Sequence, residues 1–336
     1  MKTRTTLLKK ILEKMRENNR KILFLTTQTE WLAIARRFED SWQFPNCLGA
    51  VDGKHIAITP PPGSGSFYFN KGFHSIVLMA IANADYEFLY VNCGTNGRVS
   101  DGGVIEYADF NRKLVNGELN LPPTPDGGLS YVFIADEAFA LRTDFLKPYN
   151  VKVLDDFKRI FNYRLSRARR IIENVVGILV NRFGVLKSRM NLRNMDNVDS
   201  VVLACCVLHN YLHRHASDSY TPRGVLDSED PVTHTQEDGL RIDSDNVGPI
   251  SIAHTRNSTQ DAKAVRDAYM RYFNNEGFVV EEPLEDEEPG LALAADCVLV
   301  EGVSAEWPDF CCRSSVLIDL TRSNSQASPL LLSLWF

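Results

Sequence analysis

Apolar and polar positions change period several times along the chain, and each change marks an element. From Leu48 to Thr59, LGAVDGKHIAIT, small and β-branched residues run without proline to a Pro60-Pro61-Pro62-Gly63 stop, which predicts a strand. Before it, Thr27-x-x-Glu30 has the form of a capping box, and Trp31, Ile34, Ala35 and Phe38 share one face of a helix ending near Asp40. Residues 74–83 and 87–93, joined by a turn at Ala84-Asp85, read as an antiparallel hairpin that Gly94-Thr95-Asn96-Gly97 breaks. Ser100-Asp101 is a good N-cap for a helix of about ten residues through Phe110. Tyr131-Val132-Phe133-Ile134-Ala135 is apolar throughout, as in a strand buried on both faces, and it ends on Asp136. Residues 151–154 suit a last short strand, and helical spacing returns over 166–186 and 198–213. Past Ala216 the pattern lapses: 217–260 is polar, 261–273 is helical in period, and 281–289 (EEPLEDEEP) is an acidic run expected to be disordered. At the front, 4–21 alternates basic and apolar residues at the spacing of an amphipathic helix.

Composition narrows this picture. With 336 residues, 44% of them hydrophobic, the chain can bury one large core or two modest ones. No run of about 18 apolar residues is present, so no helix is expected to span a membrane. The first residues lack an uninterrupted apolar stretch and carry Glu13 and Glu17, unlike a secretory or transit peptide. Seven cysteines, with Cys205-Cys206 and Cys311-Cys312 adjacent, suit a reducing compartment, the nucleus or cytosol. The net charge of −6 hides a division: residues 1–215 carry a balance of +8 and residues 216–336 a balance of −14. A basic body can meet a polyanion, while the acidic remainder reads as a solvated tail or a regulatory flap.

Three acids stand out. A carboxylate in the apolar strand around Asp52 needs a partner, so Asp52 is either hydrogen-bonded structure or a ligand for a cation. Asp136 is either a strand-end turn residue or part of the crevice where α/β sheets bind ligands. Glu173 is either the partner of Arg169 or Arg170 on its own helix or a third acid of a shared site. Phosphodiester cleavage needs hydroxide at neutral pH and a stabilised leaving oxygen; two hard divalent cations held by carboxylates supply both. Lys158, Arg159, Arg164, Arg167, Arg169 and Arg170 form the densest basic cluster, suited to phosphates or to a solvated helix start. Lys54, two positions from Asp52, shares its side of the strand and could reach a phosphate, whereas His55 alternates away. Cys205, Cys206, His209 and His213 invite a zinc interpretation, but two ligand pairs on one helix make a poor tetrahedron, and cysteine packed as a small hydrophobe fits better.

The segments GAVDGKH (49–55), NKGFHS (70–75), GRVSDGGV (97–104), IADEAF (134–139), RARRIIENVVGIL (167–179) and ACCVLHN (204–210) resemble, in order, the DDE endonuclease domain of Harbinger-type transposases and their domesticated nuclease relatives. The resemblance spans about residues 26–215, with a weaker echo at 261–277. It implies a ribonuclease H-like α/β fold, a mixed five-stranded sheet flanked by helices, over 46–215. Residues 1–45 become an N-terminal helical remnant of a helix-turn-helix region, and 216–336 a mostly irregular acidic tail. It implies a catalytic, metal-binding triad of Asp52, Asp136 and Glu173, with Asp101 either a further ligand or a helix cap. Two divalent cations, Mg²⁺ or Mn²⁺, would then serve in-line hydrolysis of DNA. Lys54, Arg159, Arg164, Arg167 and Arg170 would contact nucleic acid. The same resemblance implies a separate Myb/SANT-like DNA-binding partner and a nuclear location, with the cytoplasm also open. The alternative from another class is a catalytically silent, domesticated DNA- or chromatin-associated module acting with that partner.

Overall fold

The structure, a computed structural model of the chain, describes residues 21–23, 27–70, 72–97, 105, 108–192, 194–222, 224–229, 236–237, 239, 247–249 and 258–275. The expected helix over 4–21 lies outside these, except that Lys21 opens a short strand, β1 (Lys21–Leu23). Asp101, and most of the helix expected from Ser100 to Phe110, also lie outside them.

Helix α1 (Gln28–Trp42) begins where the capping box predicts: the Thr27 hydroxyl accepts from the Glu30 N–H, and the Glu30 carboxylate accepts from Thr27 N–H at 2.9 Å. It buries Trp31, Ile34, Ala35 and Phe38, and Gln43 closes it in the left-handed conformation. The central strand β2 (Cys47–Ala57) is buried almost end to end. A two-residue strand β3 (Phe69–Asn70) and then β4 (Phe73–Ala82) and β5 (Phe88–Asn96) follow. Instead of stopping at Gly94, β5 absorbs the glycine with a register shift against β4 and runs on to Asn96. Helix α2 (Asp109–Val115) follows. Two short strands, β6 (Val132–Ile134) and β7 (Phe145–Leu146), complete the sheet.

The strand order β5-β4-β2-β6-β7 makes a five-stranded mixed core, antiparallel on one side of β2 and parallel on the other. This is the ribonuclease H-like α/β arrangement, with β1 added at the β5 edge. Beyond the point where β6 ends, β10 (Val247–Pro249) pairs with β2 opposite Lys54, His55 and Ile56. Two further short strands, β8 (Ser228–Glu229) and β9 (Gln236–Glu237), pair only with each other.

Residues 151–153 are one turn of 3₁₀ helix, not a strand: the Asn150 side chain accepts from Lys152 N–H at 2.9 Å, a local bond that outcompetes pairing. The fifth strand is β7 instead. The long helix, α3 (Asp156–Arg182), starts ten residues before the expected Ser166, because Asp155 caps it by accepting from Lys158 N–H at 2.9 Å. It also ends before Leu186, which belongs to a separate 3₁₀ turn. Helix α4 (Met195–His215) packs on β5, and the Asn210 amide both accepts from Phe88 N–H and donates to Phe88 O at 2.8 Å. A single turn, α5 (Ser217–Tyr220), follows.

Helix α6 (Gln260–Asn275), expected over 261–273, is part of the packed body. Tyr269 and Phe273 are buried against Phe44, and the Tyr269 hydroxyl donates to Ser130 O at 2.7 Å. Core packing therefore extends past residue 215 into a region that is mostly polar in sequence. No helix among the described residues is long and apolar enough to cross a membrane.

Candidate active site

The site is built by the junction of antiparallel and parallel pairing on β2. Ala50 of β2 pairs with Ile134 of β6, the last pair of that register, and Asp52 and Asp136 each follow it by two residues. Adjacent strands are about 4.8 Å apart, and equal steps from an aligned pair keep side chains on one face. Trp31 of α1 and Phe110 of α2 pack edge-on against Phe133, which therefore occupies the other face. Gly49 makes this register possible. A Cβ there would sit 2.6 Å from Ile81 Cγ2, in the stretch where β2 shifts register against β6.

Asp52 is 6% exposed. Its Oδ1 accepts from Gly53 N–H at 2.8 Å, and its Oδ2 is 2.8 Å from Lys54 Nζ. Asp136 Oδ1 accepts from Ala138 N–H at 2.9 Å. Burial, and next the charge of Asp52, push the Asp136 carboxyl above its ordinary value, while Ala138 N–H, Arg169 and Lys54 pull it down. The two aspartates thus sense each other directly. Glu173, on α3, pairs with Arg169 at 2.8 Å, one turn earlier on the same helix. The charge of Arg169 also lowers the Asp136 carboxyl.

Among the described residues, no three His, Cys, Asp or Glu side chains stand in an arrangement that could hold a metal ion. Lys54 and Arg169 occupy the positions around the acids instead. The donor set nevertheless fits a hard cation: all its ligating atoms are carboxylate oxygens, and two of the acids repel each other in a largely buried place. Asp101 cannot be placed beside them, because it lies outside the described residues.

The basic residues expected to meet nucleic acid divide. Lys54 is at the site, paired with Asp52. Arg159 is exposed and paired with Asp156 at 3.0 Å. Arg164 precedes Glu173 by nine residues, which at 100° per residue puts it on the opposite side of α3. Arg167 donates to the Gln43 amide oxygen at 2.8 Å and so ties α3 to the end of α1. Arg170 acts on Tyr86, at the turn between β4 and β5. Clustering in sequence has spread these cations around the helix.

Sequence reasoning missed Lys147 and Arg266. Lys147 Nζ donates to Glu137 O at 3.2 Å, immediately after Asp136. Arg266, on α6, lies over the Tyr149 ring at 3.9 Å. Burial and then the Arg266 charge lower the Lys147 ammonium below its ordinary value. The only signal in the sequence was the helical period at 261–273, which carries no information about its neighbours.

The cysteine and histidine group on α4 is a packed one. Cys205 and Cys206 are fully buried, and burial raises both thiols, Cys205 to about 12. His209 Nε2–H donates to Tyr86 O at 2.8 Å, and its Nδ1 accepts from the Tyr220 hydroxyl at 2.9 Å. Both ring nitrogens are used, and burial lowers His209 to about 4.

Comparison with known proteins adds an independent line. Residues 51–210 match the family model described as DDE superfamily endonuclease. A relative from Arabidopsis thaliana, "Protein ALP1-like", is 28% identical over 187 residues, covering 53% of this chain and 46% of the relative. "Putative nuclease HARBI1" of Homo sapiens is 26% identical over 231 residues, covering 67% and 63%. The protein of the same name in Rattus norvegicus is 26% identical over 208 residues, covering 60% and 57%. The chain thus spans about half to under two thirds of the length of these relatives. No solved structure matches it.

Proposed function

We propose that the chain, whose residues 51–210 match the DDE superfamily endonuclease model and which resembles the Harbinger-type, transposase-derived nucleases, is a metal-dependent DNA endonuclease with Asp52, Asp136 and Glu173 as its acids. The observation that supports the proposal is that Asp52 and Asp136 each follow the Ala50–Ile134 pair by two residues and that the charge of Asp52 helps raise the Asp136 carboxyl. Asp52 and Asp136, with Glu173, would hold two divalent cations, Mg²⁺ or Mn²⁺, which when bound supply hydroxide at neutral pH and stabilise the leaving 3′-oxygen.

The chain's own groups do the remaining work. Gly53 N–H and Ala138 N–H fix one oxygen of each aspartate, leaving the other directed away from the backbone. Lys54 is half-buried next to Asp52, and when cations take its place its ammonium is free to meet a non-bridging phosphate oxygen. Arg169 holds Glu173 in position and partly neutralises Asp136. The nucleus, and a Myb/SANT-like partner for sequence-specific targeting, complete the proposal.

One observation favours a second reading, a DNA-associated module that does not cut. Two of the three acids already have a cationic partner in the chain itself, Asp52 with Lys54 and Glu173 with Arg169. The two separate in a plasmid-nicking assay with Mn²⁺ or Mg²⁺, comparing the full chain with Asp136→Asn in the presence of the partner. Nicking by the wild type alone supports the endonuclease. Equal activity in both, or none in either, leaves the binding module.

A further inference from the structure

Tyr149 gathers two cations from separate parts of the chain, with a third, Lys147, two residues before it. Arg266 of α6 lies flat on its ring at 3.9 Å and donates to Pro148 O at 3.3 Å. Lys158, from the first turn of α3, holds its ammonium 5.8 Å from the same ring, paired with Asp155 at 2.5 Å. Lys147, two residues before Tyr149, reaches back to Glu137 O. The Tyr149 hydroxyl in turn donates to Asp267 at 2.5 Å, which fixes the ring on α6.

Two features mark this as more than a surface of mixed charge. The Arg266 guanidinium is held in place by the Tyr149 ring and by Pro148 O, while its buried Nε–H has no hydrogen-bond acceptor. Arg266 donates to Pro148 O, the residue after Lys147, so the two cations meet at one loop, and after burial the Arg266 charge is what most lowers the Lys147 ammonium. An isolated fold has little reason to bring two cations together and leave a donor unused, but a phosphodiester bridging them would neutralise both.

We infer that Lys147 and Arg266 form a phosphate-contact station for DNA beside the carboxylate site, with α6 as its outer wall. The inference rests on the endonuclease proposal for its choice of ligand. Lys147 Nζ donates to the carbonyl of Glu137, the residue after Asp136, so the station adjoins the reacting position on the β7 side of the sheet. Helix α6 lies beyond residues 51–210, so part of the substrate surface falls outside the matched domain. These are positioning residues: they touch a phosphate away from the bond that breaks.

The test is DNA binding by the full chain, without divalent cations, to a fluorescein-labelled duplex followed by anisotropy over a salt series. Arg266→Gln and Lys147→Gln should each weaken binding several-fold. Each should also reduce the slope of log K against log[salt] by about 0.9, the value for one lost phosphate contact. Arg266→Lys should restore most of the slope, since the charge remains. Thermal melting of each variant shows whether α6 stays packed; Lys147→Gln, off that helix, serves if Arg266→Gln does not. Unchanged affinity and slope in folded variants overturn the inference, as does a wild-type chain that does not bind DNA. Because no cation and no cleavage enter the measurement, a chain that binds through these residues yet never nicks would sink the endonuclease and spare the station.

Discussion

Two parts of this molecule hold side chains able to bind metals, and they have opposite physical characters. On α4, Cys205, Cys206, His209 and His213 lie close in sequence, yet the thiols are buried as neutral groups and His209 spends both nitrogens on Tyr86 and Tyr220. The acids Asp52, Asp136 and Glu173 come from distant segments; Asp52 is paired with Lys54 and Glu173 with Arg169, while Asp136 has its carboxyl raised by burial and by Asp52. Residue type alone would rank the first group higher, since zinc prefers nitrogen and sulfur. The charge left to be balanced distinguishes the second.

Removing one acid should have the largest effect. Asp136→Asn is expected to reduce nicking by more than about a hundredfold, beyond the loss that follows from altering a group behind a metal ligand. Without metal the same change should stabilise the protein at neutral pH. A carboxyl raised in the folded state binds its proton more tightly there than in the unfolded chain, so stability is lost as pH rises through that window. Melting of the metal-free protein should therefore show Asp136→Asn above wild type near pH 7, and little difference in acid where both side chains are neutral.

Disturbing the alignment of the acids should come next. Gly49→Val drives a branched side chain towards Ile81 Cγ2 in a filled core, at a cost of roughly 1–3 kcal/mol, and moves Asp52 relative to Asp136. Denaturant unfolding measures the cost, and nicking should fall further than the stability loss explains.

The α4 group predicts smaller effects of a different kind. His209 is held near 4 against an ordinary 6.5, so the unfolded chain takes up its proton first and stability falls as pH drops between these values. His209→Gln, which keeps a donor and an acceptor, should flatten the melting curve against pH in that interval. Cys206→Ala should cost on the order of 1 kcal/mol through lost packing, with nicking unchanged and no zinc in elemental analysis of either protein.

How much of this was legible in the sequence follows from the range of the forces involved. Local signals located well: the Thr27 capping box starts α1, and the apolar run into Asp136 is a buried strand. The ten-residue error at the start of α3 came from trusting apolar period over the Asp155 cap, since the first turns carry Phe157 exposed and basic residues around it. Strand β7, two residues long, is too short to show a period. The insertion of α6 into the core was illegible for another reason: Tyr269 meets Pro45 and Ser130 across more than a hundred residues, and no local pattern encodes such a partner. At the site, the three acids were visible as candidates, whereas the choice of Arg169 rather than Arg167 as the neighbour of Asp136 required the helix phase and the sheet register together.

The central claim is that two aspartates and one helix glutamate make a cation-binding cup, and Mn²⁺ binding to the full chain, followed by electron paramagnetic resonance, tests it most directly. The account predicts Mn²⁺ held by the wild type and released when Asp52 or Asp136 becomes asparagine, with Cys205→Ala and Cys206→Ala indistinguishable from wild type. Equal Mn²⁺ binding by wild type and Asp136→Asn, or none by the wild type, would contradict it.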